Sequence, residues 1–188
     1  GNPPNDWRAP QEVIVQVGNA VDPDTVSLGL LIGRLVVGLL MAAHGSQKLF
    51  GWFGGHGLEG TGKFFGSLGF LPGRTFATLA GLGELASGLL IALGLLGAIG
   101  PAIMLSVMIV AGMSVHWRHG LFATNNGIEL PLLYATGAVA FAFTGYGQYS
   151  LDSLLGLTGF SAPTVTLIAL GVGIIGGIAN LSVRWKAA

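Results

Sequence analysis

Residues 41–57 read MAAHGSQKLFGWFGGHG, and the rest of the chain can be arranged around this stretch. An apolar run, predicted as a helix, ends here at His44-Gly45, and Lys48 and Trp52 follow among glycines. The chain on either side is almost free of charge. A histidine, a lysine and a tryptophan at the end of an apolar helix of membrane length predict that this end of a membrane protein carries its functional chemistry.

The composition is typical of a membrane protein. Only 9% of the 188 residues are charged, the mean hydropathy is +0.73, and 33 residues are glycine. Charged residues make up about a quarter of a typical soluble domain. Small residues such as glycine let transmembrane helices approach closely. The chain has no cysteine, which excludes disulfides, dithiol chemistry and thiolate-bound zinc or iron–sulfur sites on it. Eight basic and eight acidic residues balance, so nothing indicates nucleic-acid binding.

Three parts follow one another along the chain. Residues 1–25 are polar and rich in proline, which predicts an extra-membrane N-terminal arm. Residues 26–155 are predicted to form a four-helix transmembrane domain, and residues 156–188 a fifth transmembrane helix with a basic C-terminal tail. This prediction rests on five apolar segments, at 26–45, 75–96, 99–117, 131–147 and 163–183. Each is close to the ~20 residues that cross a bilayer.

The predicted fold is therefore all-α, with an antiparallel transmembrane four-helix bundle and a fifth transmembrane helix beside it. The long glycine-rich loop after the first helix contains TGKFFGSLGF at 61–70. This segment predicts a short interfacial or re-entrant helix in the first loop, because irregular backbone exposed to lipid is not tolerated at depth.

The basic residues predict an orientation. With five spans, Arg8 lies on one side of the membrane, and the other side receives Lys48, Lys63, Arg74, Arg118, Arg184 and Lys186. The positive-inside rule then places the His44 end and the C-terminus in the cytoplasm, with the N-terminal arm outside.

Two charges lie where charges are costly. Arg34 and Glu84 are near the middle of the first and second apolar segments. Each would cost about 2.5–3.5 kcal/mol at the bilayer centre on insertion scales if it were unpaired. Antiparallel neighbours would bring both to a similar depth, so we predict a buried ion pair between them. Such a pair either fixes the helix register or forms a proton-coupled or ligand-binding pair in a polar cavity.

A second polar group is expected at the His44 end. If successive helices are antiparallel, the ends of the first and third helices and the start of the fourth lie at one face. The polar and aromatic residues expected there are His44, Lys48, Trp52, His116, Arg118, His119 and Glu129. One interpretation is an interfacial belt of aromatic and snorkelling basic side chains.

Ligand binding at the same end is the other interpretation. A metal site or bis-histidine haem is weakly indicated, because His116 and His119 are only three positions apart and the histidines lie at helix ends. A quinone requires less: donors for its carbonyls, an aromatic wall and an opening to the lipid. The candidate quinone ligands are His44, Lys48, Trp52, His116, His119 and Glu129.

Four motifs in this chain resemble the DoxX family of small multi-pass membrane proteins. They are Gly33-Arg34 followed by HGSQKLFGWFGG at 44–55, GELASG at 83–88, HGLFATNNGIELPL at 119–132, and GYGQYSLD at 145–152. The resemblance covers about residues 26–155. It implies that the polar family positions in this chain are Arg34, His44, Lys48, Glu84, His119, Asn126 and Glu129.

The resemblance also implies a place and a class of function. Family members are similar to small four-helix proteins of the bacterial or archaeal cell (inner) membrane, and some are linked with thiosulfate:quinone oxidoreduction. Others look like membrane anchors that gather soluble redox enzymes. We therefore expect a bilayer-embedded subunit of an oxidoreductase or electron-transfer assembly, with other redox subunits as partners and quinone bound at the His44 end.

Two alternatives stay open. The first is a purely structural or accessory transmembrane subunit of a larger respiratory or photosynthetic complex, packed through glycine-notched faces. The second is a small transporter that uses Arg34 and Glu84. A bound quinone, an apolar partner-facing surface and a continuous polar pore would distinguish the three interpretations.

Overall fold

The computed structural model describes residues 22–184, so nearly all of the predicted N-terminal arm lies outside the described residues. Between residues 22 and 184 the chain is helical and contains no strand. The α-helices are α1 (Pro23–Phe50), α2 (Gly57–Ser67), α3 (Gly73–Leu93), α4 (Ile99–Ala111), α5 (Glu129–Thr144), α6 (Leu151–Leu155) and α7 (Pro163–Ser182). A π turn (Gly112–His116) and a 3-10 turn (Trp117–His119) continue α4.

Within residues 22–184, four helices are long and apolar enough to cross a membrane: α1, α3, α7, and α4 with its continuation to His119. Helix α5 is apolar but has 16 residues, about 24 Å at 1.5 Å per residue. A hydrocarbon core is ~30 Å thick. The predicted class, an all-helical membrane protein, is confirmed, whereas the arrangement with five spans stays a prediction.

Helix α1 is longer than its apolar segment. The Asp22 side chain caps its start by accepting a hydrogen bond from the Thr25 N–H at 3.2 Å. The helix ends at Phe50, because Gly51 adopts a left-handed conformation with φ 74°. The predicted end at His44-Gly45 is wrong. Gly45 packs against another helix instead of stopping its own, so His44 and Lys48 lie one turn apart on continuous helix.

Glycines set the register between α1 and the antiparallel α3. A Cβ added to Gly38 would lie 2.5 Å from the Gly88 carbonyl oxygen, and one added to Gly45 would lie 2.6 Å from the Gly81 carbonyl oxygen. The two backbones are therefore in direct contact, as small residues permit. The contact is reciprocal, because a Cβ added to Gly88 would lie 2.5 Å from the Ala42 backbone nitrogen.

Helix α7 packs along α4 in the same direction. Gly173 contacts Ala102, and Gly177 contacts Ser106 and Ile109, so residue numbers rise together on both helices. The ends of α1, α4 and α7 and the starts of α3 and α5 thus share one face, which we call the mouth face. The opposite side, called the far face, holds the α3–α4 link and α6.

The predicted helix in the first loop is present as α2, slightly earlier in the chain than residues 61–70. It packs against the first turns of α3 through Gly62, where an added Cβ would lie 3.1 Å from the Arg74 Cα. The apolar core between the long helices is formed by buried side chains, including Met41, Ile91, Met104, Met108 and Phe141.

Candidate functional site

The central polar feature is an ion pair between Lys48 of α1 and Glu84 of α3. The Lys48 Nζ lies 2.8 Å from Glu84 Oε1 and 2.6 Å from Oε2. The Glu84 side chain is 4% exposed and the Lys48 side chain 26% exposed. Two of the three ammonium hydrogens point to the carboxylate, so one donor remains for another group.

The predicted pair between Arg34 and Glu84 is not formed. The buried Arg34 guanidinium instead donates to the backbone carbonyls of Ala92 and Tyr149. Ala92 is near the C-terminus of α3, where the helix dipole favours a cation. The α1–α3 register separates the levels of Arg34 and Glu84 by about ten residues, or ~15 Å. The prediction of equal depth was wrong. The apolar segments predict that the start of α1 is level with the C-terminus of α3, whereas α1 begins well beyond it on the far-face side.

Asp152 and Tyr146 complete a polar cluster beside Arg34 at the far face. The Asp152 carboxylate accepts from the backbone N–H groups of Leu96 (2.8 Å) and Gly97 (2.7 Å). The Tyr146 hydroxyl donates to the Gly97 carbonyl at 2.7 Å. Burial raises the pKa of the Tyr146 phenol, and the Asp152 carboxylate raises it further, so this hydroxyl stays protonated. The cluster fixes the α3–α4 link.

The sequence motif at 145–152 contains both Tyr146 and Asp152, but reasoning from sequence gave them no role. The signal available was a single acid in a polar segment between two apolar ones. Its partners could not be found in the sequence, because both are backbone N–H groups of a distant link.

A cavity of about 640 Å³ lies between α2, α3, α4 and α7. Along α4 its lining extends from Ile99 to His116, which corresponds to ~26 Å of helix. The volume is within the range of small-molecule sites, about 300–1,000 Å³. Four phenylalanines from α2, its following link and the start of α3 form one part of the wall: Phe64, Phe65, Phe70 and Phe76.

The polar lining residues lie from the middle of the cavity, at the level of Ser106 and Glu84, to the mouth face, whereas the far end is apolar. Its polar lining residues include Lys48, Glu84, Ser114, His116 and Asn180. Its other end is lined by Ile99, Ala102, Ile103 and Ala169. This gradient suits a ligand that has a polar group at one end and hydrocarbon at the other.

His116 presents a defined ring nitrogen. Its Nδ1 lies 2.7 Å from the carbonyl oxygen of Asn126. A carbonyl can only accept, so Nδ1 carries the hydrogen, and Nε2 of the neutral ring is an acceptor. His116 ends the π turn, a local widening that often occurs at functional sites.

The remaining predicted site residues lie outside the cavity lining. The His44 ring packs edge-on against Tyr134 at 5.9 Å between centroids. Trp52 is 58% exposed and packs on Phe50 at 5.0 Å. Arg118 is exposed. The cavity lining therefore includes Lys48, Glu84 and His116. Glu84 is level with Val107 of α4, so about nine residues or ~14 Å of helix separate it from His116. His44 lies near Glu84 but outside the lining, and Trp52 lies beyond the end of α1.

His119 and Glu129 stabilise the link between α4 and α5. The exposed His119 places Nδ1 2.9 Å from the Val115 carbonyl oxygen. Glu129 Oε2 accepts from the Ala123 N–H at 2.8 Å. Among residues 22–184, no three histidine, aspartate or glutamate side chains converge in a way that could hold a metal ion.

The fold and the cavity define a multi-pass helical membrane protein with a ligand-sized cavity between its helices and an ion pair in the cavity lining. Residues 29–117 match the DoxX family model, from α1 through the end of the π turn. This segment of the chain is therefore a DoxX domain. No curated protein and no solved structure matches the chain significantly.

Proposed function

We propose that this DoxX-domain protein binds a quinone-like molecule from the lipid, as a membrane subunit of an oxidoreductase or electron-transfer assembly. The observation that carries the proposal is a largely apolar cavity that holds the Lys48–Glu84 pair near its middle and His116 nearer the mouth face. The association with redox subunits rests on the family resemblance.

The donors and acceptors that line the cavity fit a quinone headgroup. A quinone offers two carbonyl oxygens that accept hydrogen bonds, and its reduced form offers two hydroxyls that also donate. Lys48 has one ammonium hydrogen beyond those directed at Glu84. The Glu84 carboxylate and, nearer the mouth face, His116 Nε2 supply acceptors that a reduced headgroup can use.

The surrounding side chains would orient the ring and exclude water. Phe64 and Phe65 of α2 offer aromatic edges and faces to a planar headgroup. The ion pair is preformed across the α1–α3 contact, so little reorganisation accompanies binding. His44, Trp52, His119 and Glu129 were also predicted as ligands, and their positions outside the lining support a smaller set of Lys48, Glu84 and His116.

Equilibrium titration of the purified protein with a short-chain benzoquinone tests the proposal. We expect saturable binding to wild type and a loss of about threefold to a hundredfold in His116→Leu, because a hydrogen bond to a buried headgroup disappears. His119→Leu is the matched control, since His119 is exposed and outside the cavity. Its affinity should equal that of wild type.

Three results would contradict the proposal. The first is the absence of saturable binding to folded wild type. The second is an unchanged affinity in His116→Leu, and the third is an equal loss in His119→Leu. Failure to bind, with the chain still held in a larger complex from native membrane, would favour the structural-subunit alternative.

A further inference from the structure

His44 of α1 lies beside Glu84 but outside the cavity lining. The residue after it, Gly45, contacts the α3 backbone at Gly81 and Leu85, on either side of Glu84. The side chains of His44 and Glu84 are close enough for their charges to interact. Glu84 therefore connects the cavity with an imidazole that is not part of the cavity wall.

Tyr134 of α5 adds a third group to this contact. Its ring packs edge-on against His44, with 5.9 Å between the centroids, and its phenol is close enough to Glu84 to interact with the carboxylate charge. His44 and Tyr134 are both partly exposed, whereas the Glu84 side chain is only 4% exposed. The two rings therefore link the buried carboxylate with the surface of the bundle.

Few other titratable groups lie near Glu84. Helices α4 and α7 contain no titratable side chain, and His116, beyond α4, is ~14 Å of helix away. The other charge of α3 is ten residues distant, and the two charges of α2 pair with each other at the surface. Among residues 22–184, the titratable groups that face Glu84 are Lys48, His44 and Tyr134. Of these three side-chain types, histidine is the one that gains and loses a proton near neutral pH.

His44 is placed where protons can reach it from water. It precedes the end of α1 by six residues, or ~9 Å, at the mouth face. Tyr134 follows the start of α5 by five residues, or ~8 Å, at the same face. Tyrosine is enriched at membrane–water interfaces, so both rings lie near the level at which water is available.

We propose that His44 supplies protons to Glu84, which passes them to the quinone headgroup as the headgroup is reduced. This inference rests on the proposed function for the place of the headgroup beside Glu84. Reduction to the quinol takes two protons and two electrons, and a redox subunit of the assembly provides the electrons. In each transfer the His44 imidazolium gives a proton to the Glu84 carboxylate, and Glu84 gives it to a headgroup oxygen. His44 then takes a proton from water at the mouth face, so the relay returns to its starting state and serves both oxygens.

Stopped-flow reduction of the bound quinone tests this relay. The purified full chain is loaded with a short-chain benzoquinone and mixed with excess dithionite as the electron donor, and the absorbance of the quinone is followed. In His44→Ala we expect quinol formation to slow by about tenfold or more. The quinone affinity should equal that of wild type, because His44 does not line the cavity. Added imidazole should occupy the space left by the ring and restore the rate.

Two further variants accompany this measurement. His44→Gln keeps a polar side chain in place but has no titratable proton, so it should slow quinol formation at unchanged affinity even if His44→Ala does not fold. His119→Ala is the matched control, since His119 is an exposed histidine of the mouth face outside the cavity. Its rate should equal that of wild type with and without imidazole.

The outcomes separate this inference from the proposed function. If wild type binds the short-chain benzoquinone but folded His44→Ala or His44→Gln forms quinol at the wild-type rate, the inference is wrong. A slow rate in His44→Ala that imidazole leaves unchanged, or an equally slow rate in His119→Ala, also overturns it. If wild type does not bind the benzoquinone, the proposed function itself fails.

Discussion

The ammonium of Lys48 and the carboxylate of Glu84 are in contact across the α1–α3 interface, although the two residues are 36 positions apart in the chain. The two partners are buried to different extents, since Glu84 is 4% exposed and Lys48 26% exposed. A lysine near a helix end can extend its amine toward water, whereas the glutamate has no such route. The two charges therefore depend on each other unequally.

This inequality predicts unequal effects of single substitutions. Lys48→Met leaves a buried carboxylate without a partner and should lower the free energy of unfolding by about 3–5 kcal/mol. Glu84→Leu should cost less, because the freed lysine can reorient toward the mouth face. The double variant should recover most of the loss. Chemical denaturation in detergent measures all three, and a double variant no more stable than Lys48→Met would disprove the coupling.

Arg34 and Glu84 should behave independently. Their levels in the bundle differ by ~15 Å, and Arg34 bonds to carbonyls of Ala92 and Tyr149 instead. The effects of Arg34→Met and Glu84→Leu on the free energy of unfolding should therefore add within about 0.3–0.5 kcal/mol. The same double-mutant cycle would also detect a direct interaction. A coupling energy of about 1 kcal/mol or more would support the Arg34–Glu84 ion pair that the sequence predicts.

The glycines of α1 should differ sharply in their tolerance of alanine. Gly38→Ala places a methyl 2.5 Å from the Gly88 carbonyl oxygen, and separating the helices should cost about 1–3 kcal/mol. Gly29→Ala on the same helix meets no atom within 4 Å and should instead stabilise by about 0.5–1 kcal/mol through helix propensity. Thermal unfolding of the two variants distinguishes them, and equal stabilities would show that the α1–α3 contact is looser than described.

Cysteine labelling tests both the orientation and the crossing of α5. Thr124 is exposed on the mouth face and Thr158 on the far face, and the chain has no native cysteine. With the mouth face cytoplasmic, an impermeant thiol reagent should label Thr158→Cys in intact cells and Thr124→Cys only after permeabilisation. The reverse pattern would invert the orientation. Equal labelling of both in intact cells would mean that α5 does not cross.

Much of the fold could be predicted because the apolar segments and the stripe of small residues are visible in the sequence. The buried faces of α1 and α3 contain Arg34, Gly38, Gly45, Gly81 and Glu84, as helical spacing predicts. The relative shift of the two helices could not be predicted. It depends on which glycine meets which carbonyl, and several pairings satisfy the same spacing.

Only part of the candidate site could be predicted, because the packing of the helices decides which side chains line the cavity. Lys48 and His116 were expected near one another because both lie toward the mouth face, and both line the cavity. His44 and Trp52 were expected there too, but helical rotation directs His44 toward Tyr134, and Trp52 lies beyond the end of α1. Whether a helical side chain faces the cavity depends on which helices pack beside it, and the sequence does not reveal that packing.

The backbone contact between α1 and α3 also has a mechanical consequence. Gly38, Gly45 and Gly88 leave no side chain that could rotate to relieve a displacement, so the two helices behave as a single stiff body. Lys48 and Glu84 are both carried on that body. The opposite wall, α7, is a separate element attached to the loop side by Arg184. The ion pair in the cavity wall is thus held at fixed geometry, while the width of the cavity depends on a different part of the molecule.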